Sequence, residues 1–329
     1  MSNPAYHSAT VLLFDPEPAM RQNTRSGLLN FGFGEVVATT EPGEFFDKAA
    51  SGEFDLILAE TIAPGGNTLK VIRDIRQHAV GKNPFVNVIL SLWKATPEIV
   101  GEVINSGADD VISRPMSRNQ IFLRIGRLVE ARKPFIVTAD YIGPDRRQLG
   151  RGVGGAPAMI VPNSLRAKVE NRPEYEATPE AVALAMAVIN NRKISIYTEQ
   201  ILRLAAAVQL LSGNDGAPGD WRRAAALLAG MNRQLMQRVQ GTELGHVTSL
   251  CEGLENLIRT FERSNGATRD QDKELLEQIP LAIHKACMEA QKSAALAFDI
   301  RNISAQIGRA EEQIGPGSDP FLSKRRKMG

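Results

Sequence analysis

Five short apolar runs separated by helix-like segments constrain this chain more than any other feature. The runs are Thr10 to Phe14, Glu35 to Ala38, Leu56 to Ala59, Val86 to Ser91 and Asp110 to Ile112. Around them lie Ala19 to Asn30, Pro42 to Ala50, Leu69 to His78, Pro97 to Ser106 and Arg118 to Arg132, most with apolar residues every three or four positions. Runs this short, without strict polar alternation, suit strands covered on both faces. They predict an α/β domain over residues 8–132, built on a doubly wound, five-stranded parallel sheet.

The pattern changes twice beyond this point. From Lys133 to about Ala177 the chain turns to Pro, Gly and Arg, in GPDRRQLGRGVGGAPAMIVPN and then RPEYEATPE, which predicts a linker over 133–177. Everything after it reads as helix, so residues 178–311 are expected to form an all-α bundle and 312–329 a basic tail. Thr178-Pro179-Glu180 opens a first helix running to about Leu211; Asp220 caps a second, ending near Gly241. Thr242 is expected to open a third, ending near Asn265-Gly266, and a fourth stretches from Asp270 to Ala310, with Pro280 predicting a kink or break.

Heptad stripes support the bundle: Ile194, Tyr197, Ile201, Leu204, Val208 and Leu211 on one helix, Val247, Cys251, Leu254, Ile258 and Phe261 on another. The last helix carries a seam of mostly small residues, Ile283, Ala286, Ala290, Ser293, Ala297, Ile300, Ser304 and Ile307. That face calls for a partner, from the same chain or from a second copy in a homodimer.

Composition narrows the functional classes. With 43% hydrophobic and 23% charged residues among 329, the chain is an ordinary globular protein. A net charge of +2 argues against a protein that mainly neutralises nucleic-acid phosphates, although the tail SKRRKMG is a local basic end. Cys251 and Cys287 lie in helix-like stretches without a CxxC partner, so neither a disulfide framework nor a zinc site is expected. No window is apolar enough to span a membrane and the start carries no leader pattern, so the expected setting is cytoplasmic.

In a doubly wound sheet, ligands gather at the carboxyl ends of the strands. Here those ends carry Asp15 after TVLLF, Glu60 after LILA, Ser91 after VIL, and Arg114-Pro115 after DVIS. An acid, an acid, a hydroxyl and a cation thus converge on one cleft. Asp55 shares a strand with Glu60 but precedes the apolar run, about 16 Å away at roughly 3.3 Å per residue. Asp109 and Asp110 enter the fifth strand and read as a turn.

The order and spacing of VLLFDPEPAMR, FDLILAETIAPGGNTLKVIRDIR, VNVILSLWKAT and GADDVISRPMSRNQIFLRI resemble the receiver domain of bacterial two-component response regulators. That resemblance implies a flavodoxin-like fold. It further implies a magnesium-binding acid pair after the first strand and a phosphoacceptor aspartate after the third. A Thr or Ser after the fourth strand and a Lys after the fifth would engage the phosphate. Matched residue by residue, this chain keeps Asp15, Ser91 and Pro115 but has Pro16 for the second acid, Glu60 at the phosphoacceptor position and Arg114 for the lysine. Val111 stands where an aromatic is often found.

Each departure has a physical consequence. With Asp15 as the one remaining acid, magnesium binding is weakened, and no cofactor is expected. Glu60 extends its carboxylate roughly 1.5 Å further than aspartate, a misplacement to which in-line phosphoryl transfer is sensitive. Two readings of Glu60 and Arg114 follow: a bidentate pair that fixes the domain in one state, or a solvated rim pair worth under about 1 kcal/mol.

The expected function is a pseudo-receiver: a non-enzymatic signalling protein that regulates by binding a kinase or a downstream regulator. Its expected interaction surface runs from about Pro97 to Arg132. The rival reading is a histidine phosphotransfer protein using His246 or His284 of the helical region. A DNA-binding regulator ranks below both, because no helix reads as a recognition helix. GPDRR at 143–147 is similar to a segment in some alphaproteobacterial signalling proteins; its arginines are expected either to pair with acids or to stay solvated.

Overall fold

A computed structural model describes residues 4–147, 157–213, 220–264 and 269–313, with backbone alone from 293 onward. The chain divides into two units, 1–193 and 194–329.

In the first unit the strands are β1 (Thr10–Phe14), β2 (Glu35–Thr39), β3 (Leu56–Glu60), β4 (Asn87–Leu92) and β5 (Asp110–Ser113). They form one parallel sheet in the order β2-β1-β3-β4-β5. The helices between and after them are α1 (Pro18–Phe31), α2 (Pro42–Ser51), α3 (Thr68–Arg76), α4 (Pro97–Asn105) and α5 (Arg118–Glu130). The doubly wound expectation therefore holds. Every residue of β3 and β4 is buried, as sandwiching between helices requires. One core layer gathers Val11, Leu13, Leu58, Ile89, Ile121 and Ile125; the other gathers Leu12, Phe14, Ile57, Leu90, Ile72 and Val103.

Local chemistry starts the helices where they are needed. Proline stands in the first turn of α1, α2 and α4, where its missing N–H costs nothing. In α5 the Ser117 hydroxyl accepts from Gln120 N while the Gln120 side chain accepts from Ser117 N, a reciprocal capping box.

The expected linker is corrected. Phe135–Val137 (β6) and Ile142–Pro144 (β7) make an antiparallel hairpin, followed by Ser164–Glu170 (α6) and a short 3-10 turn at Pro173–Tyr175. Phe135, Ile142, Val161 and Leu165 are buried, so enough apolar surface is present to order the stretch. Its composition hid this because the apolar residues are scattered among Gly, Pro and Arg.

GPDRR has a structural role within this hairpin. A Cβ on Gly143 would meet the Gly107 Cα at 2.8 Å, so only glycine lets the hairpin sit against the α4–β5 turn. Gly107 itself has φ +86. Arg146 Nη2 donates to the carbonyls of Ala108 and Asp109 at 2.7 and 3.1 Å, and Arg147 pairs with Asp145.

Helix α7 (Pro179–Gly213) crosses from the first unit into the second, which continues with α8 (Asp220–Val239), α9 (Val247–Arg263) and α10 (Asp270–Gln313). In the second unit α9 packs against α8 and α10. Ile194, Tyr197, Ile201 and Val208 are buried as the heptads predict, but Leu204 and Leu211 are half-buried and Ala205 lies inside. The Val247, Cys251, Leu254, Ile258 and Phe261 stripe is buried throughout.

One helix expectation is corrected, and of the kink or break expected at Pro280 the break is set aside. Thr242 begins a turn, its hydroxyl donating to Val239 O and accepting from Leu244 N, and the third helix starts at Val247. The fourth does not break, since α10 continues through Pro280. Of its seam, Ile283 is buried, Ala286 and Ala290 are half-buried, and the side chains of Ser293, Ala297, Ile300, Ser304 and Ile307 lie outside the described residues, as does the basic tail.

Candidate functional site

Parallel pairing brings the four predicted groups together. β1 ends at Phe14, so Asp15 leaves the sheet at its carboxyl edge. Glu60 and Ser91 are register partners across β3 and β4. Arg114 follows β5, and its backbone N–H donates to Leu92 O at 2.8 Å. Pro115 follows through a cis peptide bond.

All four polar residues are buried, with exposures of 0% for Asp15, 2% for Glu60, 1% for Ser91 and 7% for Arg114. The solvated-rim reading of Glu60 and Arg114 is thereby overturned. The bidentate reading is corrected as well, because the guanidinium is divided between two acids. Arg114 Nη2 meets Asp15 Oδ2 at 2.5 Å, while Nε meets Glu60 Oε2 at 2.7 Å. Ser91 Oγ joins them, donating to Glu60 Oε2 at 3.0 Å and accepting from Arg114 Nη2 at 2.9 Å. The other carboxylate oxygens take backbone donors: Glu17 N to Asp15 Oδ1 and Ile62 N to Glu60 Oε1.

The cluster holds two carboxylates and one cation. Burial pushes the Glu60 carboxyl above its ordinary range, with the Asp15 charge adding to the rise, while Arg114, Ser91 and the Ile62 N–H pull the other way. Trp93 covers the guanidinium from outside, its ring centroid 5.4 Å from the Arg114 Cζ while the residue itself is 54% exposed. Arg114 Nη1 is buried without a hydrogen-bond partner among the described residues.

The residues do not fit magnesium. The Arg114 guanidinium already lies within hydrogen-bond distance of both carboxylates, so a divalent cation between them would face a fixed positive charge. Pro16 supplies no side-chain ligand.

The remaining candidates lie elsewhere. Asp55, at the start of β3, accepts from Thr10 N and from Lys168 Nζ, both at 2.8 Å, well away from the cleft as expected. His246 is exposed at the start of α9, its Nδ1 3.2 Å from Glu243 O. His284 is half-buried on α10, its Nδ1 3.2 Å from Thr198 Oγ1 on α7.

Sequence reasoning missed a second buried cluster, at the opposite edge of the sheet. Asp109, expected as part of a turn, pairs with Arg76 Nη2 at 2.9 Å and with Arg132 Nε at 2.8 Å. Arg76 also donates to the carbonyls of Gly107, Pro84 and Val86, and Arg132 to those of Phe85 and Pro162. Both guanidiniums lie against the Phe135 ring, at 5.3 and 4.9 Å. Burial lowers Arg76 to about 10. The available signal was an arginine at the end of α3 and another just past α5, with an aspartate entering β5.

A doubly wound five-stranded sheet with acids, a hydroxyl and a cation at its carboxyl edge defines a receiver-type domain. Residues 11–126 match the family model for the response regulator receiver domain, and this part of the chain is such a domain. The chain is 29% identical over 147 residues to Protein PetR of Rhodobacter capsulatus, covering 43% of this chain and 59% of that protein. It is 23% identical over 128 residues to the two-component response regulator PprB of Pseudomonas aeruginosa, covering 39% and 46%. The chain thus spans about half the length of these curated relatives. Among solved structures, the chemotaxis protein CheY4 of Vibrio cholerae is 23% identical, covering 36% of this chain and 97% of its own, with a TM-score of 0.33. A receiver domain from Methanospirillum hungatei is 22% identical over 36% of this chain and 91% of its own, with the same TM-score, 0.33. Receiver domains work with kinases and downstream regulators, so the match assigns this one to two-component signalling.

Proposed function

We propose that the first unit is a pseudo-receiver, a receiver fold whose phosphoacceptor cleft is closed by its own side chains and which regulates by protein-protein contact. One observation carries this reading: Arg114, buried, holds both Asp15 and Glu60. The position that resembles the phosphoacceptor carries a glutamate whose Oε2 already meets Ser91 and Arg114. An incoming phosphoryl group would have to displace those contacts from a buried, net-negative cluster. Partners are signalling proteins, met through the surface from about Pro97 to Arg132. Leu123 on α5, 58% exposed, offers that surface an apolar contact.

Acetyl phosphate with magnesium, followed by intact-mass measurement and peptide mapping, tests the reading. The expected result is no phosphoryl group on residue 60. A stoichiometric adduct there would end the proposal.

A further inference from the structure

The amino edge of the same sheet opens into a cleft of about 500 Å³ that the receiver cleft does not share. It lies wholly within the first unit, between the β3 approach, α6 and the first turns of α7. Its size falls in the range of sites that enclose small organic molecules, roughly 300–1,000 Å³. Its wall is apolar, formed by Phe54, Ala177, Pro179 and Val182.

The charges around it do not balance. Asp55 is taken by Lys168 at 2.8 Å, and Glu53 by Lys82 at 2.7 Å. Glu176 is left over, a half-buried carboxylate on the cleft wall without an ion pair among the described residues. With histidine counted neutral, the lining carries three carboxylates against two ammoniums, so a ligand bearing one positive charge completes it. Ser164 adds a second anchor, since its buried hydroxyl lines the cleft and lacks a hydrogen-bond partner among the described residues. The Phe54 ring favours a cation over an anion at the same wall.

We propose that this cleft binds a small organic monocation, an amine carried on an apolar or aromatic body, with Glu176 as its counter-ion. The amine sits against the Glu176 carboxylate and the body against Phe54 and Val182. Asp55 and Glu60 stand at opposite ends of β3, so this binding does not depend on whether the receiver cleft is closed.

Titration of the full chain with 2-phenylethylamine tests the proposal, beside its neutral and anionic analogues 2-phenylethanol and phenylacetate, followed by calorimetry and amide NMR shifts. The amine is expected to bind at least about tenfold tighter than either analogue, a difference one desolvated ion pair readily supplies. Glu176→Gln is expected to weaken the amine by about tenfold and leave 2-phenylethanol unchanged. Ala183→Trp, at the exposed mouth, is expected to block all three probes while circular dichroism shows an intact fold. No amine binding up to about 10 mM, which corresponds to only about 3 kcal/mol of affinity, would overturn the proposal. So would equal binding of phenylacetate, or an unchanged affinity in Glu176→Gln.

Discussion

At the carboxyl edge of the sheet one guanidinium, Arg114, serves two carboxylates, Asp15 and Glu60; at the amino edge one carboxylate, Asp109, serves two guanidiniums, Arg76 and Arg132. Both triads are buried and both carry one surplus charge, of opposite sign. The remedies differ because the chemistry differs. A carboxylate can take up a proton, and the Glu60 carboxyl is already held above its ordinary range. Arginine has no comparable escape near neutral pH, so the surplus at the amino edge is spread over backbone carbonyls and the face of Phe135. One cluster is built to be adjustable and the other to be permanent.

Removing the shared partner from each triad tests that contrast most severely. Asp109→Asn leaves two guanidiniums facing each other without an anion, and is expected to cost about 3–5 kcal/mol in urea unfolding. The loss should be nearly the same at about pH 5 and about pH 8, since a guanidinium keeps its charge across that range as a matter of its chemistry. A loss under about 1 kcal/mol would show that the carbonyls alone hold both cations.

Arg114→Met is the matching experiment at the other edge. It leaves two carboxylates without a cation and is expected to cost about 1–3 kcal/mol near pH 8. With the cation gone, the Glu60 carboxyl loses the partner that pulls it down and rises further, so the folded state gains from its protonation. The deficit is therefore expected to shrink as pH falls, and a constant deficit would erase the distinction between the triads.

The smallest effect is expected from Glu60→Gln. A carboxyl held high by burial contributes its full share of stability below its unfolded value and loses it as pH rises through its folded value. Thermal unfolding from about pH 4 to pH 8 should find wild type and variant alike at the acid end, with the variant gaining as pH rises. The opposite trend would mean that Arg114 outweighs burial at Glu60.

Much of the carboxyl edge was legible in the order of residues, because a parallel strand delivers whatever follows it to one place. Asp15, Glu60, Ser91 and Arg114 were found by that rule alone. How the guanidinium divides was not legible, since gripping one carboxylate or bridging two depends on where the fold places both acids around it. Asp109 was misread for a different reason: its partners lie 33 and 23 residues away in sequence. The stretch after Lys133 was misread because average composition hid the β-type triplet Phe135-Ile136-Val137, buried throughout.

The sequence by itself determined the alternation of strand and helix, hence the parallel sheet and the set of groups at its carboxyl edge, because periodicity and strand direction are local properties. It also determined the helical character of the second unit. Tertiary structure alone decided which charges share a partner, that the segment after α5 packs at the amino edge, and that Glu176 is left without a counter-ion among the described residues. Those outcomes depend on burial, and a charge in low dielectric takes its partner from whatever the fold places within hydrogen-bond reach.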